Sequence, residues 1–200
     1  MVDISFKSFL TETTSEYDTF DMKRVVIAPG RYNPPHRGHS RIIEQLQTQC
    51  EALDATPVIV VIDSGKYDSR NPLDGNTRVE LLEKIYPNIE KIVSQNAYGA
   101  MLEMQKRKML PVCGVTGTDR KAAYKQVVGS VFGESIGEQF VSDSLYRDPD
   151  SEELVGISGT KVREAVMNGE RCKFRTMVDF DTDDANDLFE RLREVLSNGY

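Results

Sequence analysis

The sequence predicts an α/β protein: a Rossmann-like, doubly wound parallel sheet in a single domain with a helical C-terminal extension. The first observation is a set of short, continuous apolar runs, such as residues 25–28 and 58–62, which are typical of strands buried on both faces of a sheet. The second is that segments with apolar residues at helical spacing alternate with these runs. This alternation implies parallel strands joined by right-handed crossovers, with ligands bound beyond the carboxyl ends of the strands.

The same patterns give the order of the elements. Strands are predicted over residues 25–28, 58–62, 89–93, 112–115 and 139–142. Helices are predicted over about 38–50, 78–85, 98–108, 121–128, 162–167 and 181–200, and Asn168 and Gly169 are typical of a helix end. We therefore divide the chain into an N-terminal extension (1–22), an α/β domain (23–178) and a charged C-terminal helix (179–200).

Composition disfavours several classes of function. A formal net charge of -7 argues against general nucleic-acid binding, because neutralising a phosphate backbone requires a basic surface. No stretch is long and apolar enough to span a bilayer, and the N-terminus lacks the pattern of a secretion signal. The 3 cysteines have neither disulfide nor zinc spacing, which fits a reducing compartment. We expect a cytoplasmic protein with no nucleic-acid or membrane partner and no metal site made of protein ligands.

Both histidines of the chain lie in one loop after the first predicted strand, in the sequence Gly-Arg-Tyr-Asn-Pro-Pro-His-Arg-Gly-His at 30–39. Gly30 allows the backbone to approach a ligand closely. Gly38 opens a helix whose free N–H groups attract phosphate, and His36 and His39 are spaced to reach one phosphate chain. The alternative is a capping turn with surface histidines, but their clustering favours a phosphate site.

A second segment, Ile-Ser-Gly-Thr-Lys-Val-Arg at 157–163, leads into a later predicted helix. Ser158 and Thr160 supply hydroxyls beside the backbone of Gly159, and the forked guanidinium of Arg163 suits phosphate oxygens. Taken alone, the segment is better explained as an ordinary N-cap followed by a solvated arginine, because such caps are common. Together and in this order, the two motifs indicate a protein that handles a nucleoside triphosphate.

Two further loops follow predicted strands. Asp119 lies in the loop after the fourth strand, which either holds a ribose or base or is a plain turn. Arg78 follows an Asn-Pro pair after the second strand and, taken alone, belongs to a loop and helix cap. The chain has no P-loop, no clear dinucleotide fingerprint and no serine in a nucleophile-elbow context.

On these motifs the chain resembles the nucleotidyltransferase superfamily with the HxGH signature, here His36-Arg37-Gly38-His39. Within it, the chain most resembles the archaeal-type nicotinamide mononucleotide (NMN) adenylyltransferases. Those enzymes carry a similar loop at 30–39, an Asn-Pro segment before an arginine, and a Tyr-Arg-Asp stretch echoed at 146–148. By motif order the resemblance covers roughly residues 24–175.

The resemblance implies transfer of the adenylyl group of ATP to NMN by direct in-line attack, giving NAD and pyrophosphate, with Mg²⁺ arriving on the ATP phosphates. It implies that His36 and His39 polarise the triphosphate and that Arg31 and Arg163 neutralise its charge. Supporting positions implied for binding are Gly30, Gly38, Ser158, Gly159, Thr160, Asp119, Arg78, Asn96 and Tyr98. The resemblance also implies a homo-oligomer.

The chain departs from this family in the segment associated with nicotinamide. The family's Asn-Ala-x-Trp is Asn96-Ala97-Tyr98-Gly99 here, and the chain has 0 tryptophans, so Tyr98 is the candidate to stack on the ring. Residues 151–154 form an apparent insertion. Two alternatives are kept: cytidylyl transfer to a phosphorylated alcohol, whose usual Arg-Thr before the second motif is missing, and a non-catalytic nucleotide sensor. Retention of both histidines, Arg31 and Arg163 argues against the sensor.

Overall fold

The computed structural model describes residues 21–116, 120–144 and 156–198. Its strands are β1 (Lys23–Gly30), β2 (Thr56–Ile62), β3 (Glu90–Ser94), β4 (Met109–Thr116) and β5 (Val141–Ser144). They form one parallel sheet in the order β3-β2-β1-β4-β5. The chain moves outward from β1 to β3 and then crosses to β4 on the other side. The predicted parallel sheet is confirmed, and its switch point lies between β1 and β4.

The helices of the described ranges are α1 (Ser40–Leu53), α2 (Gly75–Ile85), α3 (Ala97–Lys106), α4 (Lys121–Phe132), α5 (Glu134–Gln139), α6 (Gly159–Met167), α7 (Arg171–Met177) and α8 (Thr182–Asn198), with a 3-10 turn over Arg37–His39 before α1. The short helices α5 and α7 are absent from the sequence prediction. The prediction of a strand over 139–142 is wrong at its start, because α5 continues to Gln139.

Alternate residues of the central strands face opposite sides of the sheet, as the continuous apolar runs predict. Val25 and Ile27 of β1 pack with α3 and α4 on one face, whereas Val26 and Ala28 pack with α1 on the other. All four side chains are fully buried. Burial on both faces explains why the run contains no polar residue.

Besides the apolar clusters on the two faces of the sheet, a third apolar cluster joins the C-terminal helices to one another. It contains Val162 of α6, Phe174 of α7 and Phe189 and Leu192 of α8, and it also takes in Leu73 from the loop before α2. The charged C-terminal helix therefore packs against the helix that carries the second motif. None of the helices in the described ranges has both the length and the apolarity required to cross a bilayer. Asp119, residues 1–20 of the N-terminal extension, the stretch 146–148 and the insertion at 151–154 lie outside the described residues.

Candidate active site

The loop after β1 brings the two histidines face to face at the switch point. Their ring centroids are 3.8 Å apart with an interplanar angle of 29°, and the His39 ring also lies 4.6 Å from that of Tyr32. His36 is buried, whereas His39 is half-buried. The backbone N–H of His36 donates to Nδ1 of His39 at 3.1 Å, which places the proton of a neutral His39 on Nε2.

Glycine at position 38 lets the two motifs touch. A Cβ on Gly38 would lie 2.5 Å from the carbonyl oxygen of Ile157 and 3.0 Å from the His36 ring. A Cβ on Gly159 would lie 3.0 Å from Nη1 of Arg163 and 3.2 Å from the carbonyl oxygen of Asn33. The contacts of Gly38 with Ile157 and of Gly159 with Asn33 join loops that are more than a hundred residues apart in sequence. The structure therefore assembles the predicted motifs into one site.

Arg163 connects the second motif to the first through its guanidinium. Its Nη1 donates to the carbonyl oxygen of Asn33 at 2.8 Å, and its Nη2 donates to the hydroxyl of Thr160 at 3.3 Å. These two hydrogen bonds hold the side chain of Arg163, which is partly buried and lies one turn into α6. The hydroxyl of Ser158 accepts from the N–H of Lys161 at 3.3 Å, so Ser158 is the N-cap of α6 as well as a candidate binding residue.

The charge around Arg163 is unevenly compensated. Burial lowers the pKa of Arg163, and the positive charges of Arg31 and Arg70 lower it further. The negative charges of Asp68 and Glu164 oppose this effect only in part, because the pKa is lowered overall. Arginine stays protonated at neutral pH, so the lowered pKa means that its charge is held in an unfavourable environment. A bound anion offsets this by placing negative charge beside the guanidinium. Arg31, Arg70 and Arg163 form what we call the arginine group.

Arg78, predicted as a binding residue, lies beneath the loop that follows β1. It is 1% exposed, and Nη1 donates to the carbonyl oxygens of Arg31 at 2.5 Å and Ile62 at 3.0 Å. Its Nη2 is 3.0 Å from Oδ1 of Asp63, and its Nε donates to the carbonyl oxygen of Asp74 at 3.1 Å. Arg78 thus joins the loops after β1 and β2 and supports the backbone of Arg31.

Asn33 and Asp63 are site residues that the sequence does not single out. The side chain of Asn33 donates to the carbonyl oxygen of Leu73 at 2.8 Å and accepts from its N–H at 3.1 Å, so it pairs two loops. Asp63 accepts from the N–H of Gly75 at 2.6 Å and of Gly65 at 3.1 Å. Burial raises the pKa of Asp63, but these N–H groups and Arg78 outweigh it and lower the pKa overall.

The predicted nicotinamide residues lie farther along the same edge of the sheet. The side chain of Asn96 caps α3 by accepting from the N–H of Gly99 at 2.8 Å, and Tyr98 is 49% exposed in the first turn. Because β2 separates β3 from β1 and neighbouring strands are ~4.8 Å apart, this region begins about 10 Å from the His loop across the sheet.

A comparison with known protein families matches most of the chain. The sequence profile of the cytidylyltransferase-like family matches residues 27–165, which include both motifs. A search of curated proteins returned no significant match.

Solved structures share the fold at low sequence identity. A Vibrio parahaemolyticus protein assigned as a nicotinate-nucleotide adenylyltransferase has a TM-score of 0.55 and 17% identity, over 88% of this chain and 98% of that one. Nicotinic acid mononucleotide adenylyltransferase from Plasmodium falciparum, complexed with NaAD, has a TM-score of 0.54 and 15% identity, over 84% and 98% of the two chains. At these identities the likeness concerns the fold.

The family match covers well over half of the chain and contains the histidine loop, the arginine group and the start of α6. The superfamily expected from the motifs is thereby confirmed. The chain belongs to the cytidylyltransferase-like family and is a nucleotidyltransferase.

Proposed function

We propose that this protein transfers the adenylyl group of MgATP to the phosphate of NMN, forming NAD and pyrophosphate. The observation that carries the proposal is the contact between the two motifs at the switch point, where Arg163 binds the backbone of Asn33 beside the stacked histidines. This arrangement supplies cations and hydrogen-bond donors at the edge of the sheet where ligands of such folds bind. These cations and donors suit the negatively charged oxygens of a triphosphate.

In the proposed reaction, a phosphate oxygen of NMN forms a bond with the α-phosphorus of ATP. The bond between that phosphorus and the oxygen bridging to the β-phosphate breaks, and pyrophosphate leaves with the electron pair. No group on the protein has to form a covalent bond. Catalysis then depends on positioning the two phosphates in line and on stabilising the negative charge of the leaving group.

The geometry favours different roles for the site residues. The half-buried His39 is the imidazole that reaches the α- and β-phosphates, with its Nε2–H as the donor, and the buried His36 stacks behind it. Arg31 and Arg163 neutralise the outer phosphates. Mg²⁺ enters as part of the substrate MgATP, on which phosphate oxygens are its main ligands.

The acceptor is the finer part of the proposal. Tyr98 offers an exposed aromatic face at the predicted nicotinamide position, next to the cap residue Asn96. Nicotinate mononucleotide is the second candidate acceptor, favoured by the names of the structural neighbours. Cytidylyl transfer to a phosphorylated alcohol is the third, favoured by the family description.

The test is release of pyrophosphate by the purified full chain with MgATP or MgCTP and, in turn, NMN, nicotinate mononucleotide and phosphocholine. We expect the highest kcat/KM with MgATP and NMN, and NAD as the product by chromatography. His39→Ala should lower kcat by about 100-fold, since removing one donor to developing charge costs about that much. Arg193→Gln, at an exposed position on α8, is the matched control and should retain wild-type activity.

Each result separates the candidates. Higher activity with nicotinate mononucleotide or with MgCTP would keep the transfer chemistry and replace the substrate. Release that persists in His39→Ala would contradict the proposed site. A homo-oligomer and a cytoplasmic location remain predictions, and sedimentation of the full chain tests the former.

A further inference from the structure

A carboxylate that belongs to neither motif binds the turn that carries the HxGH signature. Asp179, in the segment between α7 and α8, accepts from Nε of Arg37 at 3.0 Å through Oδ1 and from the hydroxyl of Ser40 at 2.8 Å through Oδ2. The same Nε donates to the carbonyl oxygen of Val178 at 3.1 Å. Arg37 and Ser40 stand on either side of Gly38 and His39, so one carboxylate spans the turn.

The turn also approaches the second motif. A Cβ at position 38 would meet the carbonyl oxygen of Ile157 at 2.5 Å, so the turn and the start of the second motif lie close together. The turn is therefore in contact with the second motif through Gly38 and with the Asp179 carboxylate through Arg37 and Ser40. Small displacements of Asp179 would be passed to His39, because His39 lies between the two residues that the carboxylate binds.

The carboxylate itself is attached to a buried part of the molecule. Val178 is fully buried, and Ala185, Leu188 and Phe189 of α8 pack with it in the third apolar cluster. A hydrogen bond from Nη2 of Arg191 to the hydroxyl of Thr77, at 2.6 Å, ties α8 to the start of α2. These contacts connect the segment that carries Asp179 to α8 and, through Arg191, to α2.

We propose that Asp179 is a positioning residue for the transfer reaction: by binding Arg37 and Ser40 together, it holds the histidine turn in the orientation in which His39 meets the phosphates. This inference rests on the proposed function for its kinetic part. It also explains why Arg37, although it lies between the two histidines, is not part of the arginine group: its Nε is bound to Asp179 and Val178.

The decisive measurement uses the fact that the chain has only 2 histidines, both in this turn. Imidazole signals in ¹H–¹³C and ¹H–¹⁵N NMR spectra of the full chain without a histidine tag therefore report on the turn alone. Asp179→Asn keeps the shape of the side chain and removes its charge, and we expect it to shift the signals of His39. Asp184→Asn, which removes a carboxylate of α8 that pairs with Lys84, should leave them in place.

Kinetic measurements test whether a change in the position of the histidine turn affects the reaction. Asp179→Asn should lower kcat about 10-fold with little change in the KM of MgATP, because a misplaced group loses contacts made in the transition state. Arg37→Met should give a similar loss, and adding Asp179→Asn to it should lower kcat little further. Asp179→Glu, which keeps the negative charge, should retain more activity than Asp179→Asn.

The outcomes are separable from those of the proposed function. If Asp179→Asn leaves both histidine signals unchanged, the positioning role is wrong, whatever the activity. If its loss in kcat adds fully to that of Arg37→Met, the proposed coupling is wrong as well. If the wild-type chain makes no product with any acceptor, the proposed function fails, and the NMR comparison still decides whether Asp179 holds the turn. Where Asp179→Asn does not fold, Arg37→Met answers the same question.

Discussion

The ion pair of Arg78 and Asp63 shows how single buried residues support this site. Arg78 is 1% exposed and Asp63 14% exposed, so neither charge can be solvated fully if its partner is removed. Their contacts reach the backbone of Arg31 and the carboxyl end of β2 at Ile62. The pair therefore contributes to stability and to the position of the loop after β1.

We predict that Asp63→Asn lowers the free energy of unfolding by about 3 kcal/mol at pH 7, because it leaves a buried guanidinium without its counter-charge. The folded pKa of Asp63 is lowered, so its stabilisation is present above the unfolded pKa and is lost as the pH falls through the folded pKa. The difference from wild type should thus be full above about pH 5 and shrink below about pH 4.

Urea unfolding at several pH values measures this difference. Glu51→Gln, at an exposed position on α1, is the control and should leave the urea midpoint unchanged. An Asp63→Asn midpoint equal to that of wild type at pH 7 would show that the pair does not stabilise the fold.

At the scale of elements, the C-terminal helix supports the helix of the second motif. Phe189 of α8 meets the ring of Phe174 edge-on at 5.3 Å, and the guanidinium of Arg171 lies 4.6 Å from the Phe189 centroid. Val162 and Ala165 of α6 belong to the same buried cluster. The position of Arg163 between them depends on this packing.

We predict that Phe189→Ala lowers the free energy of unfolding by about 3–4 kcal/mol, since it leaves a cavity in a closely packed cluster. It should also raise the KM of MgATP, because α6 loses a neighbour that orients Arg163. Met167→Ala is the matched control: Met167 is 56% exposed at the end of α6, and its loss should be nearly neutral. Equal thermal midpoints for the two variants would contradict the supporting role of α8.

The strands and helices also show which parts of the fold can be predicted from sequence patterns. The buried strands were predictable because burial on both faces of a parallel sheet demands continuous apolar runs, as at residues 58–61. The helices α5 and α7 were not, because they span 6 and 7 residues and bury few side chains, so they leave little periodicity. The motifs located the site, but the pairing of Asn33 with Leu73 depends on folding distant loops together, which no local pattern records.

For the whole molecule, the distribution of charge matters more than its sum. The chain carries a net charge of -7, yet the arginine group lies together at the switch-point edge of the sheet. A negative protein repels an anionic substrate at long range, so attraction must come from this local group. Such attraction acts within about 10 Å at ~0.1 M salt and weakens as salt is added.

We therefore predict that raising NaCl from about 50 to about 300 mM increases the KM of MgATP several-fold and changes kcat little, because screening weakens capture rather than the transfer step. Arg70→Gln should raise the KM at low salt and reduce its salt dependence, since one charge of the group is gone. The matched control is Arg193→Gln, which should keep the wild-type dependence because Arg193 is an exposed residue of α8 outside the arginine group. Parallel salt curves for Arg70→Gln and wild type would show that Arg70 takes no part in capture, leaving Arg31 and Arg163 as the residues that hold the triphosphate.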